Sequence, residues 1–283
     1  MRIFDPHIHM TSRTTDDYER MAAAGVRAVV EPAFWLGQPR SNVGSFIDYF
    51  DSLIGWEPFR AAQFGIRHHC TMALNPKEAN DPRCRGVLDE LPRYLDKDGV
   101  VAVGEIGYDS MTPAEDDAFA AQLALAREYE LPALVHTPHR DKARGTARTL
   151  DVVAESGIDT GRIVVDHLNE LTVGLVRDSG CWLGFSIYPD TKMSPPRMVA
   201  ILAQYGLERT LVNSAADWGR SDPLLTVATA EAMLAAGFSA ADVERVFWDN
   251  PLAFYGQSGR LDVGDAAEGP ASFAGNSILR GGG

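Results

Sequence analysis

Cysteine is scarce in this chain: three residues in 283, Cys70, Cys84 and Cys181, widely scattered and odd in number. That excludes a disulfide framework and leaves no Cys-x-x-Cys pair for a structural zinc. Packing is the expected role of each thiol. Long apolar runs are also missing. No stretch approaches the ~20 residues that a membrane-spanning helix needs, and the opening Met1-Arg2-Ile3-Phe4-Asp5 lacks the apolar centre of a secretion signal. A cytoplasmic protein with no membrane partner is the expectation. Dense positive charge is absent as well: 26 Lys and Arg stand against 39 Asp and Glu, a formal net charge of −13. Such a field repels a phosphate backbone at long range, which weighs against nucleic acid and favours a small-molecule partner. Composition leaves the oligomeric state open.

What is present is an alternating pattern. Eight short segments rich in Val, Ile, Leu and Ala read as buried parallel strands: 2–9, 27–32, 67–74, 100–106, 133–137, 162–167, 182–187 and 210–214. Between them Ala and Leu recur at three- and four-residue spacing, as over 16–24, 113–129 and 224–236. Thr112 followed by Pro113 makes a capped helix start, and Ser239 precedes another helix at 240–248. Strand–helix alternation predicts a parallel sheet with helical crossovers. Eight units in a chain of this length fit an α/β fold of the (β/α)₈ TIM-barrel type, which typically needs about 250 residues. A doubly wound open sheet is the alternative on pattern alone. Residues 38–58, punctuated by Gly and Pro, read as an insertion after the second strand whose Phe46, Tyr49, Phe50 and Trp56 could cover the barrel mouth. The barrel is expected over 1–261, followed by a Gly- and Ala-rich tail at 262–283, extended or partly disordered.

The strongest chemical signal is Asp5-Pro6-His7-Ile8-His9. Side chains alternate along a strand, so His7 and His9 share a face. Two imidazoles at the end of a first strand make a natural metal clamp. His-x-His alone is a weak motif, but the other donors strengthen it. Glu105 ends the fourth strand, His136 the fifth and His167 the sixth, and Asp217 follows the eighth. Each falls where a barrel builds its active site. Packing explains one buried histidine; it does not explain four at strand ends beside two carboxylates. Weaker candidates surround them. His139 and Arg140, with Lys142 and Arg144 nearby, could bind one anionic group, or be an ordinary exposed set. Glu31 at the end of the second strand could contact substrate or simply bond a neighbouring loop. Trp35, Trp182, Tyr188 and Trp218 flank strand ends and suit either a pocket or packing. His68 and His69 suit packing better than ligation, while Tyr108 and Asp109 could brace Glu105.

Together these motifs resemble the TatD-like hydrolases of the amidohydrolase superfamily. The resemblance runs from His7 to about Tyr255 and rests on Asp5-x-His7-x-His9, Gly104-Glu105-Ile106-Gly107-Tyr108-Asp109, Leu131 to His136, His167, Asp217 and the late Asn250-Pro251. It implies a distorted (β/α)₈ barrel, two divalent metal ions and hydrolysis. It further implies that His7 and His9 hold one ion, His136 and His167 the other, that Glu105 bridges them, and that Asp217 ligates the first ion and takes a proton from a bridging water. The chemistry is sound on its own terms: two dications yield a hydroxide at neutral pH and polarise the scissile bond. Imidazole and carboxylate donors suit zinc foremost, and manganese, iron or magnesium besides. Two departures stand out. Asn75 replaces the His of nuclease-like members after the third strand, and Ala215-Ala216 replaces their Glu-Thr. The expected substrate is therefore a small organic ester, lactone, amide or cyclic amide, with Glu31, Asn75, His139, Arg140 and Trp218 as candidate contacts. A phosphodiesterase or deoxyribonuclease and a non-catalytic metal-binding scaffold are the alternatives.

Overall fold

Runs that are apolar at nearly every position form strands covered on both faces, and β4 (Val100–Gly107) is buried at all eight positions. It lies in a sheet with β1 (Ile3–Asp5), β2 (Val26–Pro32), β3 (Arg67–Met72), β5 (Ala133–His136), β6 (Ile163–Val165), β7 (Trp182–Ser186) and β8 (Thr210–Asn213). The computed structural model describes residues 1–37 and 40–264. The strands stand in chain order, each parallel to the next. Helices fill the crossovers, and the fold is a (β/α)₈ TIM barrel. The crossover helices are unequal, from the 16 residues of Pro113–Glu128 to the 4 of Val173–Val176.

Among the described residues no ladder pairs β8 with β1. The seam is closed at the rim instead, where Ala215 N donates to His7 O at 2.8 Å and His9 N to Ala216 O at 2.9 Å. The Asp5 carboxylate accepts from Ser214 N at 3.2 and 3.3 Å. This seam holds the His-x-His segment against the loop that follows β8. At the opposite end, Trp248, Phe254 and Tyr255 pack with Phe4, Trp182 and Leu211 and plug the barrel. Each such buried side chain contributes roughly 1.5–3 kcal/mol. Asn250 Nδ2 donates to Leu207 O and Thr210 O at 2.7 and 2.8 Å, and Tyr255 OH to Pro6 O at 2.7 Å. The Asn-Pro-aromatic segment is thus an anchor for the plug.

Residues 43–62 differ from the expected insertion. Val43–Asp51, Ser52–Trp56 and Glu57–Ala62 form one helical run that is the β2–β3 crossover itself. Phe46, Tyr49 and Phe50 are buried in the core, and Tyr49 OH accepts from Phe34 N at 3.2 Å. The expected segment's residues 38 and 39 lie outside the described residues. So do 265–283 of the expected tail; residues 262–264 carry no helix or strand, and His69 Nε2 donates to Asp262 O at 2.8 Å. All three cysteines are free and buried. Among the described residues no helix is long and apolar enough to cross a membrane.

Candidate metal centre

β1 stops at Asp5 because Pro6 has no N–H to extend the ladder. The chain nevertheless continues to the rim and delivers both histidines inward. Asp166 Oδ2 lies 2.6 Å from His7 Nδ1, which turns Nε2 into the barrel. There it stands 3.0 Å from His9 Nε2 and 3.2 Å from Glu105 Oε1. Glu105 gets its aim from an irregularity in β4. Gly104 pairs with Leu134 and Ile106 with Val135, so Glu105 is skipped and bulges from the ladder. Gly107 follows at φ +115°, and a Cβ there would lie 2.5 Å from His136 O. Only glycine lets β4 approach β5 this closely, and that brings Glu105 beside His136.

Glu105 Oε1 is the common neighbour of the cluster: His136 Nδ1 lies at 3.6 Å and His167 Nε2 at 3.4 Å. His167 adopts left-handed backbone, φ 61°, with its N–H donating to Asp166 Oδ1 at 2.7 Å. Ser186 Oγ holds His167 Nδ1 at 2.6 Å, leaving Nε2 inward. Two sets, His7-His9-Glu105 and Glu105-His136-His167, have ligand atoms within 4.8 Å of one another and share Glu105. Asp217 belongs to neither set. It is half-buried at the rim, where Oδ1 accepts from Gly219 N at 2.8 Å and from Tyr188 OH at 3.1 Å.

The electrostatics suit cations. Burial by itself raises the Glu105 pKa, but His7 and the contacts to His136 and His167 outweigh it, and the carboxyl sits well below its ordinary range. Burial, then the neighbouring His7, holds His9 well below the usual imidazole value; burial, then Lys192, does the same to His167. Neutral imidazoles are the ligating form. The donor set also passes a stricter test. Both ring nitrogens of His136 are buried without a hydrogen-bond partner. Orphaned nitrogens like these are rare in folded proteins unless an ion or unseen group completes them.

The sequence profile of the family described as TatD related DNase matches residues 4–256. The chain belongs to the TatD family. It is 27% identical over 206 residues to an uncharacterized metal-dependent hydrolase of Methanocaldococcus jannaschii, covering 72% of this chain and 80% of that one. The TatD-like protein of Archaeoglobus fulgidus superposes with a TM-score of 0.75 at 24% identity, over 89% of this chain and 99% of that one. A lactonase of Listeria monocytogenes shares the fold, with a TM-score of 0.65 at 13% identity, over 90% and 94%. This TatD protein is a metal-dependent hydrolase.

The remaining candidates occupy varied places in this TatD chain. Asn75 Nδ2 donates to Glu105 Oε2 at 2.9 Å, so the residue that departs from nuclease-like members braces the central carboxylate. His139 packs 6.1 Å from the His136 ring and 6.4 Å from that of His167, between ring centroids. Burial, then Lys192, lowers its pKa to about 3. Arg140 is exposed on the same loop. Trp218, 55% exposed, meets Trp35 edge-on at 6.0 Å, and Phe34 stacks on His9 at 3.9 Å. Glu31 is fully buried and committed elsewhere: it accepts from Thr11 N and Oγ1 at 2.7 and 2.8 Å and faces His68 Nε2 at 2.9 Å. Glu31, Glu57 and His68 form another group with clustered ligand atoms, but Arg60 and Tyr18 already occupy Glu57. That group ties the β2–β3 crossover to the barrel. Asp166 went unrecognised in the sequence, although an acid directly before a candidate ligand histidine was its signal. Lys192, 3.2 Å from His167 Nδ1, had none.

Proposed function

We propose that this TatD hydrolase cleaves a small organic ester, lactone, amide or cyclic amide, with two divalent ions held by His7, His9, Glu105, His136 and His167 and with Asp217 as the proton acceptor. The observation that carries the two-ion reading is the shared carboxylate: two histidine pairs flank one Glu105 oxygen, and both ring nitrogens of His136 lack a hydrogen-bond partner. Zinc suits such donors foremost. When bound, the ions lower the pKa of water and polarise the scissile bond.

The chain's own residues do the rest. Asp166 and Ser186 fix the ring orientations of His7 and His167, a role that conserves ligand geometry in metal sites generally. Asp217, oriented by the Tyr188 hydroxyl and the Gly219 amide, accepts a proton from the nucleophilic water and returns it to the leaving group. Phe34, Trp35 and Trp218 narrow the approach and keep bulk water from a compact substrate. The aromatic rim, Asn75 on Glu105 and the net charge of −13 support a small molecule over a nucleic-acid strand. The deciding experiment assays esters, lactones, amides, phosphodiesters and DNA side by side with zinc, manganese and magnesium, using Asp217→Asn protein as the contamination control. Turnover of a small carbonyl substrate that disappears in the variant is expected. Efficient DNA cleavage that disappears in the variant would replace this reading with the phosphodiesterase one.

A further inference from the structure

The chain contains four lysines, Lys77, Lys97, Lys142 and Lys192, and three of them stand beyond the carboxyl ends of strands: Lys77 in the short helix Pro76–Ala79 after β3, Lys142 at the start of the helix Lys142–Ser156 after β5, and Lys192 in the loop after β7. In a protein of charge −13 this concentrates a scarce cation at the mouth of one site. Lys77 is neutralised by Asp109 at 2.6 Å. Lys142 and Lys192 make no such ion pair, although Asp166 favours the charged form of both from a greater distance, as Glu105 and Asp217 do for Lys192. Among the described residues neither has a carboxylate partner: Lys142 Nζ donates to Thr137 Oγ1 at 3.0 Å and to Pro138 O at 3.3 Å, and Lys192 Nζ lies 3.2 and 3.5 Å from the two ring nitrogens of His167.

Both ammonium groups adjoin the metal-binding strands. Thr137 follows His136 directly and donates to Asp166 O at 2.7 Å, so Lys142 reaches the base of the pair that orients His7. Lys192 sits on His167 itself. The two charges also feel each other: burial, then Lys192, pushes the Lys142 pKa down to about 8. Partly desolvated, unpaired ammonium groups are costly unless an anion completes them. A divalent ion sharpens the demand. One such ion together with these two lysines already outweighs the carboxylates of Glu105, Asp166 and Asp217.

We propose that Lys142 and Lys192 form an anion subsite beside the metal centre, and that the substrate of this hydrolase carries a carboxylate or phosphate group that docks there. This rests on the hydrolase reading above and narrows its substrate class. Lysine acts as a point charge with rotatable donors, so either anion fits the pair. The local positive field at the mouth draws a small anion through the acidic exterior, as charged clefts do when their potential opposes the net charge.

The test titrates inorganic phosphate and succinate into wild-type, Lys142→Met, Lys192→Met and double-variant protein, metal-free and metal-loaded, by calorimetry, with metal content measured in each. Methionine keeps the apolar stem and removes the charge. The expected result is at least a tenfold weaker affinity in the double variant for whichever anion binds wild type, at unchanged metal content. Phosphate preference assigns a phosphorylated substrate, and succinate preference a carboxylate-bearing one. Equal affinity in wild type and double variant, or no binding of either probe to wild type, overturns the subsite. If the double variant fails to fold, each single variant is expected to lose at least threefold, and no loss in either is the contradicting result. Failure of the hydrolase reading looks different: lysine-dependent binding persists while no ester, lactone or amide is turned over.

Discussion

Gly219→Ala isolates the orientation of Asp217 from the metals. An added Cβ at position 219 would overlap the Tyr188 hydroxyl oxygen and lie 2.9 Å from Asp217 Oδ1. Gly219 does not use left-handed backbone, so alanine is tolerated by the main chain and the cost is local. Ordinary contact requires about 3.5 Å, so the tyrosine ring retreats by roughly 1 Å. That breaks a 3.1 Å hydrogen bond to a carboxylate. Bonds to charged groups contribute about 1.5–3 kcal/mol, and where the bond serves the transition state this is about a 10- to 150-fold loss in kcat. KM and metal content are expected to stay near wild type. Tyr188→Phe should reproduce the loss, and the double variant should be no worse than either single one, because both remove the same bond. The assay is steady-state kinetics on the best substrate, with elemental analysis of each protein. A wild-type kcat in Gly219→Ala, or additive losses in the double variant, would refute the role given to the Tyr188–Asp217 contact.

Asp217→Asn should retain the metal and lose at least about 100-fold in turnover, the scale of a missing general base; steady-state rates check it, and a wild-type rate means the proton goes elsewhere. Glu105→Gln removes the charge shared by both histidine pairs. A charge-assisted contact contributes about 1.5–3 kcal/mol, so its loss is expected to weaken metal binding at least about tenfold. Competition with a chelator reads that loss directly. The metal-free protein should lose stability as pH falls below 6.5. His9 and His167 have folded pKa values below the unfolded 6.5, so the unfolded chain binds protons first and is favoured as acid is added. Each contributes up to about 1.4 kcal/mol per pH unit until its folded pKa is reached. His7, raised in the fold, acts in the opposite sense, with its contribution lost as pH rises above 6.5. Urea denaturation of chelator-treated protein at pH 7.5 and 5.5 measures the net effect, expected to be lower stability at 5.5.

Much of this architecture was legible because strands buried on both faces leave an unmistakable apolar record. β2, β3, β4 and β8 fall within a residue or two of their expected limits. β1 and β6 end early for local reasons: Pro6 stops one ladder, and the left-handed turn at His167 stops the other. The inward aim of His7, His9, Glu105, His136 and His167 followed from barrel geometry, since the ends of strands meet at one rim. What the sequence concealed depends on contacts between distant loops. Lys192 is ordinary in its own segment and acquires meaning only against His167. Glu31 read as a candidate substrate contact or a loop partner at a strand end, and Thr11 and His68 enclose it. Residues 43–62 carry Gly and Pro that suggest an insertion, yet Pro58 lies inside the helical run, directly after the widened π-helical turn Ser52–Trp56.

Two ions held by five residues around the Glu105 carboxylate would be visible in a count of bound metal. Protein expressed with zinc or manganese, shown to be folded by circular dichroism, is dialysed and analysed for metal alongside the Glu105→Gln and His136→Asn/His167→Asn variants. About two ions per chain are expected in wild type, clearly fewer in Glu105→Gln, and about one in the paired-histidine variant. A folded wild-type protein with essentially no metal after supplementation, or a full complement in all variants, would contradict it.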